Sequence, residues 1–110
     1  ALGRTLAGDA DRPTGIFATA DVIAIGLLKG LLESGVMVPG EVSLIGFDDL
    51  PEARYVTPSL TTVRQDIPAK ADAAVRTLLG VIDGDAAASP ARLDVELAVR
   101  GTVGPPPANG

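Results

Sequence analysis

The 110-residue chain has no cysteine, no histidine and no tryptophan. The first two absences close off whole classes of chemistry. A zinc site of thiolates or imidazoles, and a disulfide framework, both need residues that are not there. The Ser-His-Asp and Cys-His nucleophile systems each lack a member. Aromatic residues are scarce, with Phe17, Phe47 and Tyr55 as the whole set. Ala, Leu, Val and Ile must then fill the core, which suits helices packed on a sheet rather than a nucleobase-stacking surface. Basic residues are outnumbered, nine Lys+Arg against fourteen Asp+Glu, for a net charge of −5. That balance argues against a nucleic-acid surface within these residues, since phosphate binding needs clustered Lys and Arg. Its main effect is on solubility. No apolar run approaches the roughly 18–20 residues that span a bilayer, so no membrane partner is expected.

What is present is a 46% hydrophobic composition, enough for the core of about one domain. The amino end, Ala1-Leu2-Gly3-Arg4, has neither an initiator Met nor a signal-peptide apolar segment, and reads as an internal cut through a longer chain. Residues 1–13 read as a helix tail and a turn, closed by Pro13. Ile16-Phe17-Ala18 reads as a short buried strand. Asp21 is placed to cap a helix over Val22–Ser34, whose Ala24, Leu27, Leu28, Leu31 and Leu32 recur at helical spacing. Gly35 fits a left-handed helix end. Gly26 and Gly30 make one stripe of that helix able to approach a neighbouring backbone, most simply the sheet. After a turn at 38–41, Val42–Phe47 reads as a second strand.

Strand, helix and strand with short connections make a βαβ unit. Thr19-Ala20-Asp21 and Phe47-Asp48-Asp49 then share the carboxyl edge of a parallel sheet, where open α/β sheets bind ligands. Residues 50–65 form a loop ending in an extended Leu60-Thr61-Thr62-Val63. Asp66 caps a second helix with Pro68 in its first turn. Ala71, Ala74, Val75, Leu78, Leu79 and Ile82 share one face of it, Gly84 ends it, and Asp83–Pro90 is a loop. Leu93, Val95, Leu97 and Val99 alternate with Asp94, Glu96 and Ala98 as in a half-buried strand. The Gly104–Gly110 tail, with three prolines, reads as disordered or polyproline-like.

Asp48-Asp49 is the feature richest in chemistry. Two adjacent carboxylates can hold a divalent metal, act as an acid/base pair, or accept hydrogen bonds from a polyol. Neighbouring residues at a strand end point to opposite faces, which disfavours convergence on one ion. Mg²⁺-type binding also wants further carboxylates. A single carboxylate suits two sugar hydroxyls, but the pattern alone slightly favours a solvated turn with Asp49 capping. No phosphate loop is present, since Gly26-Leu27-Leu28-Lys29-Gly30 lies inside a helix. Arg64 and Lys70 stand isolated. A doubly wound enzyme using the two aspartates finds no supporting nucleotide loop, and no enzyme activity or cofactor is expected.

Taken together the segments resemble the lac/gal repressor family. Pro13-Thr14-Gly15-Ile16-Phe17-Ala18-Thr19-Ala20-Asp21 is similar to its P-T-A-I-F-A-x-[NS]-D segment. Val38-Pro39-Gly40-Glu41-Val42-Ser43-Leu44-Ile45-Gly46-Phe47-Asp48-Asp49 is similar to its V-P-x-D-[IV]-S-[VL]-[IV]-G-[FY]-D-[DN] segment. Tyr55 through Gln65 is similar to Y-x-x-P-x-L-T-T-[VI]-x-Q, and Leu97 through Thr102 to L-x-x-R-x-[ST]. The motifs stand in family order and cover residues 13–102.

The resemblance implies an α/β, periplasmic-binding-protein-like type I fold, a Rossmann-like parallel sheet flanked by helices, with only the carboxyl-terminal portion present. It implies part of the effector-binding and dimerisation core of a bacterial, cytoplasmic transcription regulator, cut from a chain about three times longer. The partners implied are a sugar or nucleoside-like effector, a second copy in a homodimer, and operator DNA through an amino-terminal helix-turn-helix domain outside these residues. Asp48 matches the acid that grips ligand hydroxyls, and Phe47 precedes it. Gln65 matches a cleft residue, and Ile67 falls where an apolar group covers the ligand. Ala20 departs from the family's Asn or Ser and cannot hydrogen-bond. Leu50, Arg54 and Tyr55 match a surface near the dimer interface, though ordinary loop packing also accounts for Leu50 and Tyr55. By the same resemblance, residues 1–65 belong to the carboxyl-terminal lobe, 66–85 form a helix of the amino-terminal lobe, and 86–103 return. Such a piece is expected to be a proteolytic remnant, a truncation, or a chain that covers its faces with another copy. A periplasmic sugar receptor feeding a membrane permease has the same fold and is the alternative.

Overall fold

A computed structural model describes residues 2–84 and 92–108. The chain divides into two compact units: one joins the chain up to Arg64 to the segment from Leu97 onward, and the other runs from Gln65 to Glu96.

In the first unit the expected βαβ order is present. A short helix, α1 (Leu2–Ala7), precedes β1 (Gly15–Phe17), α2 (Asp21–Glu33) and β2 (Ser43–Phe47). A 3-10 turn at Pro51–Arg54 leads to β3 (Thr61–Arg64). β1 pairs with β2 in parallel, Gly15 opposite Ser43 and Phe17 opposite Ile45. β2 pairs with β3 in parallel, Ile45 opposite Thr61 and Phe47 opposite Val63. β4 (Glu96–Ala98) follows β3 in the sheet order, so the strands stand in sequence order 1-2-3-4.

The core is aliphatic, as the shortage of aromatics requires. Leu27, Leu28 and Leu31 of α2 close on Val42, Leu44 and Leu60, with Ala18, Ala24, Ala53, Val36 and Val38 around them. Each fully buried Leu contributes about 1.5–3 kcal/mol over its exposed state. α2 ends as a Schellman motif: the Gly35 amide donates to the Leu32 carbonyl (3.1 Å) and Val36 to Leu31 (2.9 Å), with Gly35 at φ 84°. The glycine stripe works differently from expectation. Gly30 meets α1, not the sheet: a Cβ on it would lie 2.8 Å from the Gly3 Cα, while Gly26 faces open space.

β1 is also less buried than its apolar run suggests. Ile16 is half-buried and Phe17 exposed; β1 stands first in the sheet order and, among the described residues, pairs with β2 alone. The carboxyl-terminal segment is tied to the sheet beside β2. Thr102, fully buried, donates through Oγ1 to the Leu44 carbonyl (2.6 Å) and accepts from the Thr61 amide (2.9 Å). Gly104 donates to and accepts from Ser43 Oγ, at 3.1 and 3.2 Å. Disorder therefore does not begin at 104; the Ser43 hydroxyl holds that peptide from both sides. Residues 109 and 110 of the expected tail lie outside the described residues.

The second unit contains α3 (Ile67–Ile82). Asp66 caps it as expected, Oδ1 accepting from the Ala69 amide at 3.0 Å. Asp72 and Arg76 pair one turn apart at 3.1 Å on its exposed face. No residue of α3 is buried. The strand expected over Leu93–Val99 is regular only at Glu96–Ala98. Residues 85–91, most of the expected Asp83–Pro90 loop and part of the 86–103 return, lie outside the described residues.

Candidate functional site

The parallel pairing brings the ends of β1 and β2 to one edge, and the chain leaves β2 there through a constrained turn. Asp48 has φ 126° and Asp49 φ 57°, both on the positive side. Asp tolerates the second value in a single left-handed residue. The first is one L side chains rarely adopt, and such residues cost on the order of 1–3 kcal/mol each. Three successive amides hold the turn. Asp48 donates to the Val63 carbonyl (3.0 Å), Asp49 to Thr62 Oγ1 (3.3 Å) and Leu50 to Asp21 Oδ2 (2.8 Å).

Asp21 is the buried centre of this arrangement. It is fully buried, and its Oδ1 accepts a 2.6 Å hydrogen bond from the Thr62 hydroxyl. The expectation that it caps α2 is wrong: Ala20 is the N-cap residue, with no side-chain cap, and Asp21 lies inside the helix. Its carboxylate turns inward because the β2–β3 side supplies two donors that would otherwise be buried unpaired. Gly46 makes the room. A Cβ there would collide with Asp21 Oδ1 and stand 3.0 Å from Leu60 Cδ2.

Asp49 is also turned inward. Its side chain is 8% exposed and accepts from Arg64 Nε at 2.7 Å and from Arg100 Nη2 at 2.6 Å. Burial by itself raises this carboxyl, but the hydrogen bonds and charges of Arg64 and Arg100 outweigh it and hold the group below the ordinary aspartate value. Asp49 therefore does not cap the following turn, whose N-cap Leu50 makes no side-chain cap bond. Nor does Arg64 stand isolated. With both Asp49 oxygens on guanidiniums, the two aspartates do not form one metal- or polyol-binding pair. Among the described residues, no three His, Cys, Asp or Glu side chains cluster to hold a metal ion.

Of the residues singled out in the sequence, Ala20, Phe47 and Asp48 share the β1–β2 edge, all of them half-buried. Leu50 follows in the same turn, while Arg54 and Tyr55 are exposed, Tyr55 at 83%. A cavity of about 250 Å³ is lined by Asp49, Pro51, Arg54 and Tyr55. Gln65 and Ile67 belong to the second unit. There the Gln65 Oε1 accepts from Lys70 Nζ at 3.1 Å, and Ile67 is 55% exposed at the start of α3. Sequence reasoning gives Asp21 only a capping role and Thr62 and Arg100 only motif positions, so it misses the three as the set that supports the turn. One signal for it was available: Gly46 inside an apolar strand, where a missing side chain marks a close approach.

Known proteins match this chain over nearly its whole length. A family model described as a periplasmic binding protein-like domain matches residues 2–103. The HTH-type transcriptional regulator MalR of Streptomyces coelicolor is 40% identical over 95 residues, covering 86% of this chain and 28% of that protein. A LacI family transcriptional regulator from Lactobacillus casei, solved with bound glucose, superposes with a TM-score of 0.74 at 34% identity, over 93% of this chain and 37% of that one. A lac repressor dimer bound to operator and the anti-inducer ONPF gives a TM-score of 0.81 at 28% identity, over 93% and 36%. The chain thus spans between a quarter and two fifths of the length of these three proteins.

Proposed function

The chain belongs to the periplasmic binding protein-like domain family, among the LacI-type transcriptional regulators, and from that premise we propose that it forms the carboxyl-terminal part of the core with which such a regulator binds a small effector and dimerises. The observation that carries the proposal is the constrained turn after β2, which presents Asp48 at the carboxyl edge of a parallel sheet. Ligands of open α/β sheets bind at such an edge. Asp48 accepts hydroxyls of a sugar or nucleoside-like effector, and Phe47 and Ala20 line the same edge; for Gln65 and Ile67 a ligand role rests on the family resemblance alone. The bound glucose of the Lactobacillus casei regulator supports the sugar class.

α3 packs, on this reading, against an amino-terminal lobe supplied by residues other than these. Leu50, Arg54 and Tyr55 contribute to contact with a second copy, and operator DNA is bound by a separate helix-turn-helix domain. The relatives are named as transcriptional regulators rather than enzymes, which favours regulation over catalysis and over a periplasmic receptor. A cytoplasmic location goes with that role. No helix among the described residues is long and apolar enough to cross a membrane.

Thermal-shift screening of the full-length protein against monosaccharides, disaccharides and nucleosides tests the proposal, with Asp48→Ala as control. An effector raises the melting temperature of the parent and not of the variant. A shift that survives Asp48→Ala would refute the assigned role, and a signal peptide upstream of these residues would refute the regulator reading.

A further inference from the structure

We infer that Asp49, with the two guanidiniums it binds, is a positioning residue that fixes the backbone of Asp48 and thereby the direction in which Asp48 meets a ligand; the last clause rests on Asp48 being a ligand contact. The reason begins with Asp48 itself. A residue with a side chain does not stay at φ 126° unless its surroundings over-determine it. The amides of 48, 49 and 50 are each bonded, to Val63, Thr62 and Asp21. These bonds fix where the turn lies, and the residue 49 side chain adds the charged anchor.

Arg100 is well placed for that task. Its side chain is 13% exposed, its Nη1 donates to the Leu60 carbonyl at 3.0 Å, and its amide donates to Thr61 Oγ1 at 2.9 Å. One guanidinium thus joins the entry to β3 to the residue after Asp48. Arg64 adds a second ion pair from the far end of β3, at a side chain 45% exposed. Screening by water weakens that pair relative to the Arg100 pair. Separating Asp49 from Arg100 strands a desolvated charge, so the turn resists any rearrangement that would let Asp48 relax.

The test uses the full-length regulator carrying Asp49→Asn, Arg100→Gln or Asp48→Ala, with glucose, sucrose and adenosine as probes. Crystal structures of Asp49→Asn and Arg100→Gln are expected to show residue 48 moved to negative φ, with α2 and β2 in place. A residue 48 still near 126° in both variants overturns the positioning role. Arg64→Gln, at the more exposed pair, is expected to give a smaller displacement and serves if the other variants do not fold; an unmoved residue 48 there counts against the role. Binding supplies a readout that a purely structural ion pair would not move. For a probe that binds, Asp49→Asn weakens affinity about tenfold. The Asp48→Ala/Asp49→Asn double variant then binds no worse than Asp48→Ala alone, because both act through one contact. Losses that multiply in the double variant overturn the inference. If Asp48→Ala binds as tightly as the parent, the ligand role of Asp48 fails on its own, and the backbone at residue 48 still decides the positioning role.

Discussion

α2 and α3 are both amphipathic, and the difference between them is what lies against the apolar face. α2 buries Ala24, Leu27, Leu28 and Leu31 in the first unit. α3 carries Val75, Leu78, Leu79 and Ile82 at 54–68% exposure and buries nothing. Periodicity reports that a helix has a face meant for burial; it does not report that the covering surface is in the same stretch of chain. A cavity of about 400 Å³ along α3, lined by Lys70, Ala73, Ala74, Thr77, Leu78, Val81 and Leu93, shares only Leu78 with that exposed set.

Truncations on the two helices should break or sharpen this contrast. Leu31→Ala is expected to destabilise the chain by about 2–5 kcal/mol, the range for a fully buried leucine. Leu78→Ala should stay within about 0.5 kcal/mol, as for exposed positions. Urea midpoints of the two variants read the difference, and equal losses would show that the α3 face is covered after all.

The next largest effect belongs to the buried carboxylate of the first unit. Asp21→Ala strands the Leu50 amide and the Thr62 hydroxyl and should cost on the order of 3 kcal/mol by the same measurement. Gly46→Ala forces a methyl against Asp21 and Leu60 and is expected to cost about 1–3 kcal/mol. A neutral Gly46→Ala would mean that Asp21 does not lie against β2.

A smaller effect is confined to acid. The Asp49 carboxyl titrates below its unfolded value when folded, so its contribution is complete above about pH 3.9 and is lost as pH falls through the lowered value. Asp49→Asn should therefore flatten the decline in urea midpoint below about pH 4 and leave its slope between about pH 5 and 7 unchanged. An unaltered acid limb would remove Asp49 from the set of groups that titrate on unfolding.

Element types were readable because their causes are local. The spacing of Leu27, Leu28 and Leu31, Gly35 after the helix and Asp66 before the next are statements about neighbours in sequence. The Asp21 carboxylate was misread for the same reason. An acid at a strand–helix junction reads as a cap, and only the return of the chain to Thr62, 41 residues on, turns it inward. Asp48 was singled out as a site residue, yet its positive φ was not foreseeable, since glycine alone announces such a backbone. Arg100 was visible as a motif position, but its pairing with Asp49, 51 residues away, follows from tertiary structure.

Amide hydrogen exchange of the 110-residue chain, read peptide by peptide, tests the division between the helices most directly. Amides of 27–32 in α2 should exchange near the rate set by global unfolding, and those of 73–82 in α3 at least about a hundredfold faster, through local opening. Equal protection of the two helices would contradict it.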